Sequence, residues 1–308
     1  MRAFIFPGQG SQNVGMGAAL ADASRPARDV FDEVDEALGQ NLFRLMREGP
    51  GEELKLTENA QPAIMAHSIA VLRTMGVQLS DVAEFVAGHS LGEYSAHVAA
   101  GTFAFADAVS IVRRRGRYMQ EAVPVGEGAM AAILGADPEL VSQACRESAE
   151  GDVVSPANIN GPGQVVIAGT TAAVQRASDR ARALGARRAV PLPVSAPFHC
   201  ALMKPAESRL EPELRALAVR PPHVPIIANV DAEPKRDAAA AIDALVRQVS
   251  APVRWDDVVR RLASEGVTTY VEVGPGTVLS GLVRKIHKDA HVIHFGAPDD
   301  LAAVIATC

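Results

Sequence analysis

The stretch AEFVAGHSLGEYSAHVAAG, residues 83–101, places a serine between two glycines where one residue pattern gives way to another. Its first six residues are short and mostly apolar, as in a buried β-strand. The later residues are rich in alanine and end at Gly101, which predicts a helix closed by a C-terminal glycine. Because Gly88 and Gly92 carry no side chains, a sharp strand-to-helix turn could expose the Ser90 oxygen between them. G-x-S-x-G also occurs by chance, so an ordinary small residue at a strand–helix junction is the alternative.

The composition sets the class of protein. Of 308 residues, 48% are hydrophobic and 21% charged, which is typical of a soluble globular chain with a large core. A formal net charge of −6 argues against nucleic acid as a general partner. The opening MRAFIFPGQG turns polar too early for a signal peptide, and no apolar run reaches the roughly 18 residues of a membrane span.

The cysteines indicate the compartment. Cys145, Cys200 and Cys308 are odd in number and lack any C-x-x-C spacing. This favours a reducing environment over a disulfide framework, and it provides no zinc site. We therefore expect a cytoplasmic protein without a metal.

The order of strand and helix patterns predicts an α/β fold. Strand-like RAFIF and AEFVAG alternate with helical PAIMAHSIAVLRTMG and FADAVSIVRRRGRYMQEAV in the first 120 residues, which favours a mostly parallel sheet. From about residue 127 the pattern becomes β-α-β-β-α-β, that of a small ferredoxin-like unit, ending in RRAVPLPV. After residue 200, VPIIANV and TTYVEVG resume the first pattern. We predict a discontinuous large domain, 1–126 and 197–308, with a small domain, 127–196, inserted in it and a ligand cleft between them.

A serine nucleophile needs a base, and the chain has eight histidines. His89 adjoins Ser90 on a tight turn and should point away, while His97 lies two helical turns further on, roughly 10 Å away. His199 follows a strand and two prolines where the small unit returns to the large one, which makes it the better candidate. The other histidines are expected in the core or at the surface: His67 falls within an apolar helix, and His223, His287, His291 and His294 lie in polar or terminal stretches.

Two further motifs leave alternatives open. FIFPGQGSQNVGMG has Asn13 where a dinucleotide-binding G-x-G-x-x-G needs its third glycine, so we reject that function. The Gly-Gln-Gly loop could direct backbone N–H groups at an oxyanion, or it could be a plain tight turn. Among four clustered arginines, Arg115 lies nearest the apolar helix face, Arg113 comes next, and Arg114 and Arg117 point away. A charge at that edge needs a partner, either an anionic ligand or a buried acid.

Six blocks of the sequence together resemble the malonyl-CoA:acyl-carrier-protein transacylases of bacterial fatty acid synthesis. They are FPGQGSQ, GHSLGEYSA, RRGRYMQEA, ANINGPGQVVIAG, PVSAPFHCALMKPA and VEVGPGTVLSGL, which occur in the family's order across essentially the whole chain. The resemblance implies a hydrolase-like parallel-sheet core with a ferredoxin-like insert. It also implies an enzyme that uses a CoA thioester as substrate and no other cofactor.

The resemblance assigns roles to individual residues. Ser90 matches the acyl-accepting nucleophile and His199 its general base, while Gln248 matches a residue whose main-chain carbonyl orients that base. The remaining matches concern the substrate and the oxyanion: backbone N–H groups of Gln9 and Leu91 for the oxyanion hole, Arg115 for the malonyl carboxylate, and His89 and Asn160 near the substrate. Phe198 and Leu91 resemble the malonyl rather than the methylmalonyl branch.

The implied function is transfer of a malonyl group from malonyl-CoA to acyl carrier protein by a monomer. A freestanding acyltransferase of a polyketide synthase, or the transferase subunit of a malonate decarboxylase, shares the same blocks. A serine esterase or thioesterase would share G-x-S-x-G and a histidine, but it gives Arg115 no role. A carrier-binding module without catalysis would need neither Ser90 nor His199.

Overall fold

The computed structural model describes residues 1–194 and 196–306, so Cys308 lies outside the described residues. The strands of this part of the chain are β1 (Arg2–Phe6), β2 (Phe85–Gly88), β3 (Gly128–Leu134), β4 (Val154–Gly161), β5 (Gln164–Thr170), β6 (Arg188–Pro191), β7 (Ile226–Ile227), β8 (Pro234–Lys235), β9 (Thr269–Val273) and β10 (His291–Phe295). They form two sheets, one largely parallel and one antiparallel.

The helices surround both sheets, and two short 3₁₀ turns follow residues 200 and 297. The helices are α1 (Ala18–Ala23), α2 (Arg25–Leu38), α3 (Leu42–Glu48), α4 (Gly51–Lys55), α5 (Thr57–Thr74), α6 (Leu79–Val82), α7 (Leu91–Ala99), α8 (Phe105–Glu121), α9 (Pro138–Ser148), α10 (Thr171–Ala183), α11 (Lys204–Ala216), α12 (Ala238–Gln248), α13 (Trp255–Ser264), α14 (Val278–Ile286) and α15 (Leu301–Ile305).

The larger sheet has six strands in the order β10-β9-β1-β2-β7-β8. All neighbouring pairs are parallel except β7 and β8. Strands β1 and β2 run side by side, with Phe6 opposite Gly88, so the loops that follow them leave the sheet at the same edge. A parallel sheet is covered on both faces, which explains why β1 and β2 are almost uniformly buried.

The smaller sheet is antiparallel, in the order β4-β5-β3-β6. Its elements follow one another as β3-α9-β4-β5-α10-β6, the order that the sequence predicts. Alternate residues of β3 and β5, such as Ile133 and Ile167, form a separate core with the apolar faces of α9 and α10. The strand GAMAAIL occupies the predicted residues because its small apolar residues suit a sheet covered on one side.

The α/β prediction is confirmed, and the local differences have physical causes. The predicted strand 224–230 shortens to Ile226–Ile227 because the chain turns at Asn229, whose side chain bonds to Gly88 O instead of continuing a ladder. The strand at His291–Phe295 was not predicted from the sequence. It pairs with β9 at the edge of the sheet, and its residues show little alternation between apolar and polar side chains. His294 is therefore only partly exposed, with Nε2 3.1 Å from Gly274 O.

Candidate active site

The turn after β2 forces Ser90 into an unusual backbone conformation. Ser90 is the N-cap of α7 and has φ 51° and ψ −105°, in the left-handed half of the map that non-glycine residues rarely occupy. Close packing explains both glycines: a Cβ on Gly88 would lie 1.9 Å from Gly92 C, and one on Gly92 would lie 2.0 Å from Phe6 O. The chain therefore forms a strained elbow at Ser90, between the strand and the helix.

His199 lies against this hydroxyl. Its Nε2 is 2.7 Å from Ser90 Oγ, and its Nδ1 is 2.9 Å from the main-chain carbonyl of Gln248. That carbonyl closes α12, where the last carbonyls of a helix have no partner within the helix. A carbonyl only accepts, so Nδ1 carries the proton and Nε2 presents its lone pair to Ser90. His199 also has a positive φ, 59°, a backbone conformation that residues other than glycine rarely adopt.

Burial keeps His199 uncharged. It is 4% exposed, and desolvation together with the positive charge of Arg115 lowers its pKa to about 3. The resting imidazole is thus a neutral base at physiological pH.

Arg115 completes the polar cluster around Ser90. It is 2% exposed on α8, with its guanidinium carbon 5.2 Å from the ring centroid of Tyr94. Nη1 donates to Gln61 Oε1 at 2.7 Å, and Nη2 donates to Ser90 Oγ at 3.0 Å and to Gln248 Oε1 at 2.9 Å. A guanidinium beside the nucleophile can bind an anionic group of whatever is attached there.

The neighbouring arginines lie as the helix periodicity predicts. Arg114 pairs with Glu213 at 2.7 Å and Arg117 with Glu58 at 3.3 Å, both at the surface. Arg113 is half-buried beside Asn59.

Two residues that the sequence interpretation missed hold the elbow in place. Asn229 Oδ1 accepts from the Ser90 amide at 2.7 Å, and Asn229 Nδ2 donates to Gly88 O at 2.7 Å. Glu93 Oε2 accepts from the amide of Asn229 at 3.1 Å and from Gln248 Nε2 at 2.7 Å. The available signals were an asparagine ending an apolar strand run and a glutamate within an alanine-rich helix, both polar side chains in buried settings.

A cavity of about 920 Å³ opens onto Ser90, and residues of both sheets and their loops line it. Gln9 and Phe198 lie in its wall. His89 and Asn160 also line it and contact each other, with His89 Nε2 2.8 Å from Asn160 Oδ1. Leu91 directly follows Ser90 as the first residue of α7, and its side chain is buried.

The other buried histidines take no part in this cluster. His67 Nε2 lies 2.9 Å from Gly296 O, and His97 packs against the Phe103 ring with centroids 5.0 Å apart. His223 and His291 are exposed, as expected, whereas His287 is half-buried against the Tyr270 hydroxyl, 3.2 Å away.

Sites of two other kinds are missing from the described part of the chain. No group of three or more histidine, cysteine or acidic side chains in residues 1–194 and 196–306 could hold a metal ion. No helix over the same residues is long and apolar enough to cross a membrane.

The comparisons of this sequence with known proteins agree on one family. The family model of the acyl transferase domain matches residues 3–297. The chain is 50% identical over 303 residues to the malonyl CoA-acyl carrier protein transacylase of Salmonella typhimurium, with 98% of each chain covered. It is 49% identical over 306 residues to the protein of that name from Bacillus subtilis, covering 99% of this chain and 96% of the other.

Solved structures superimpose on nearly the whole chain. An acyl carrier protein S-malonyltransferase from Vibrio cholerae superimposes with a TM-score of 0.96 at 46% identity, covering 98% of this chain and 99% of the other. A malonyl-transacylase solved in complex with a type II PKS acyl-carrier protein superimposes with a TM-score of 0.97 at 45% identity, covering 100% and 99%.

Proposed function

The chain belongs to the acyl transferase domain family, and from this premise we propose that it transfers malonyl groups from malonyl-CoA to acyl carrier protein. It is an acyltransferase, like the relatives that it matches over nearly their full length. The observation that carries the proposal is the 2.7 Å contact between Ser90 Oγ and His199 Nε2, with Arg115 3.0 Å from the same oxygen.

In the proposed first half-reaction, His199 Nε2 accepts the Ser90 proton as Oγ attacks the thioester carbonyl of malonyl-CoA. The C–O bond forms and the thioester π bond becomes an oxyanion. The backbone N–H groups of Gln9 and Leu91 stabilise this oxyanion, and Leu91 has the added advantage of a helix N-terminus. Collapse of the tetrahedral intermediate breaks the C–S bond, and CoA takes the proton from His199 and leaves as a thiol.

The second half-reaction reverses these steps with another thiol. His199 deprotonates the phosphopantetheine thiol of the carrier protein, which attacks the malonyl ester, and the proton returns to Ser90. The Gln248 carbonyl holds the Nδ1–H tautomer throughout, so a third acidic residue is unnecessary. The thioester supplies the chemistry, and the proposal needs no resident cofactor or metal.

Arg115 is assigned to the free carboxylate of the malonyl group, because its planar fork can bind both oxygens. His89, Asn160 and Phe198 are assigned to the substrate because they line the cavity that leads to Ser90.

The finer architecture belongs to the same proposal. We assign residues 127–196 to a ferredoxin-like small domain, since its strand order, β4-β5-β3-β6, suits that fold. Residues 1–126 and 197–308 would form a hydrolase-like large domain, supported by the elbow after β2. We further propose that the protein is a cytoplasmic monomer; the small number of cysteines, without C-x-x-C spacing, supports the cytoplasmic part of this proposal.

The carrier protein served is a separate question. A role in fatty acid synthesis agrees with the resemblance of the sequence blocks, whereas the relative in complex with a type II PKS acyl-carrier protein favours a polyketide role as the second candidate. Malonyl transfer rates to carrier proteins of each kind would decide between them.

The proposed function is tested by following the acyl-enzyme. After brief mixing with malonyl-CoA, intact mass should rise by one malonyl group, and the adduct should persist until a carrier thiol is added. Rapid release of free malonate without a carrier would instead identify a hydrolase.

A further inference from the structure

The positive charge of Arg115 lacks a carboxylate in contact with it. Among residues 1–194 and 196–306, its hydrogen-bond partners are the neutral side chains of Gln61, Gln248 and Ser90. The exposed arginines on the same helix, Arg114 and Arg117, pair directly with glutamates. A buried cation is costly without a compensating negative charge, so the source of that charge needs an explanation.

The side-chain amide of Gln248 lies between Glu93 and Arg115 and bonds to both. The Gln248 side chain accepts from Arg115 Nη2 through Oε1 at 2.9 Å, and its Nε2 donates to Glu93 Oε2 at 2.7 Å. Glu93 is fully buried, no cation contacts it within the described chain, and its Oε1 has no hydrogen-bond partner there. Above the pKa of Glu93, which burial raises to about 7, two buried opposite charges are thus joined through the single amide of Gln248.

We propose that Glu93 is a positioning residue that supplies the counter-charge of Arg115 through the Gln248 amide, so that no carboxylate of the described chain contacts the guanidinium and the carboxylate of the acyl group can. A direct ion pair with Glu93 would place a second carboxylate on the same guanidinium. The inference rests on the proposed function, because it assigns Arg115 to a substrate carboxylate.

The same arrangement limits how tightly a dicarboxylic acyl group is held. A malonyl carboxylate on Arg115 brings a second negative charge close to Glu93, and like charges in a buried site repel each other. Removal of the Glu93 charge should therefore tighten the binding of malonyl groups. Acetyl groups carry no carboxylate and should be unaffected.

Glu93→Gln tests the charge with little change of shape. The carbonyl oxygen of the introduced glutamine can accept the same two hydrogen bonds from Asn229 and Gln248, while its NH₂ group takes the place of the unpartnered Oε1. Single-turnover acylation against acyl-CoA concentration separates the half-saturating concentration from the maximal rate. At about pH 8, where wild-type Glu93 is charged, we expect the half-saturating malonyl-CoA concentration to fall about three- to tenfold in the variant, with that for acetyl-CoA unchanged.

Asp231→Asn is the matched control. The negative charge of Asp231 also lies near Glu93, but its carboxylate bonds to Lys235 and Arg247 at 2.9 Å and has no link to Gln248 among the described contacts. This variant should keep the wild-type half-saturation for both acyl-CoAs.

A pH series on the wild type covers the case in which Glu93→Gln does not fold. Burial raises the pKa of Glu93 to about 7. The groups that face it do not titrate nearby: Arg115 remains charged, Tyr94 has its pKa raised to about 12, and Asp231 has its pKa lowered. Glu93 is charged above its pKa and neutral below it, so malonyl half-saturation relative to acetyl should fall as the pH drops through about 7.

The outcomes separate the two proposals. If wild-type protein forms no malonyl adduct, the proposed function fails and this inference fails with it. If the wild type is malonylated but Glu93→Gln slows malonyl and acetyl transfer equally, Glu93 only supports the fold and the counter-charge role is overturned. Unchanged malonyl half-saturation in the variant, or a flat malonyl-to-acetyl ratio across pH, overturns it too.

Discussion

The two ends of helix α7 are both buried, yet they differ in how their polar atoms are used. At the N-terminal end, Ser90 and Glu93 bond to Asn229, Gln248 and Arg115. From the middle of the helix to its C-terminal end, Ser95 Oγ and both ring nitrogens of His97 have no hydrogen-bond partner among the described residues; nor does Thr102 Oγ1 just beyond the helix. One end of the helix is a connected network, and the other is packed as if its side chains were apolar.

His199 and His97, one from each region, show how the hydrogen-bond partners of a buried histidine differ. Burial lowers the pKa of both His199 and His97 to about 3. Protonation state therefore cannot tell them apart. His199 has an acceptor on Nδ1 and the nucleophile on Nε2, whereas His97 packs against the Phe103 ring. Burial sets the charge of an imidazole, and its hydrogen-bond partners set what it can do.

The largest expected difference is between alanine substitutions of Ser90 and of Ser95. Ser90→Ala should abolish the malonyl adduct, because the acyl group has no oxygen to bond to. Ser95→Ala, on the same helix but without a partner at its Oγ among the described residues, should be malonylated like the wild type. Intact mass after brief incubation with malonyl-CoA measures both. A full adduct on Ser90→Ala would place the nucleophile elsewhere.

The base is tested next. His199→Ala should slow both acylation and transfer by roughly 10²–10⁴-fold, the usual contribution of general acid–base catalysis. The measurement is the rate of each half-reaction under single-turnover conditions. Near-normal rates in this variant, combined with a large loss in a His97 or His67 variant, would show that the base is misassigned.

Arg115→Ala tests the carboxylate at the network end. Truncation of one partner of a buried charge pair costs about 2–5 kcal/mol, which is on the order of 30- to several-thousand-fold in malonyl transfer. Acetyl transfer should stay near its wild-type rate or rise. Arg114→Ala, which removes only a surface ion pair on the same helix, should change neither rate. Equal losses for both acyl groups in Arg115→Ala would assign Arg115 to the fold.

The smallest effect is expected at the other end of α7. His97→Leu should leave malonyl transfer within about twofold of wild type, and it should raise the free energy of unfolding by about 1 kcal/mol at neutral pH, since it removes buried polar atoms without partners.

The stability difference at His97 should grow in acid. The unfolded chain protonates this histidine below its ordinary pKa of 6.5, whereas the folded chain keeps it neutral down to about 3. His97 alone therefore lowers the wild-type free energy of unfolding by about 2 kcal/mol at pH 5, and His97→Leu escapes this part of the loss. Burial also lowers the pKa values of His199 and His67, and their contribution is the same in both proteins. Urea unfolding at pH 7 and pH 5 measures the difference. An equal gain at both pH values would contradict the assignment.

Local patterns predicted most of the architecture. The turn around Ser90, the strand at Gly128–Leu134 and the burial of Arg115 on α8 each follow from residues close together in the chain. Glycines mark the turn, and alternation or helical periodicity marks the buried face. These patterns predict local structure correctly because steric contacts and burial act on neighbouring residues.

The links between segments could not be predicted from the residues alone. Nothing in the vicinity of Asn229 or Glu93 indicates that the two meet, since they are 136 positions apart in the chain. The periodicity of α8 left open whether Arg115 faces a ligand or a buried acid. In the structure the nearby acid is Glu93, which is linked to Arg115 through the Gln248 side chain. Such contacts depend on which strands become neighbours, and a single sequence does not encode that order locally.

The separation of Ser90 and His199 along the chain determines when the protein can become reactive during its synthesis. The elbow serine precedes its base by 109 positions, and the base precedes the carbonyl that orients it by 49. A ribosome that has reached residue 126 has already made the strand–turn–helix around Ser90, but neither of these partners exists. The nascent chain thus carries a serine hydroxyl without its base until most of the polypeptide has been made and folded. Reactivity arises only with the finished tertiary structure, so incomplete or misassembled chains are not expected to consume acyl-CoA.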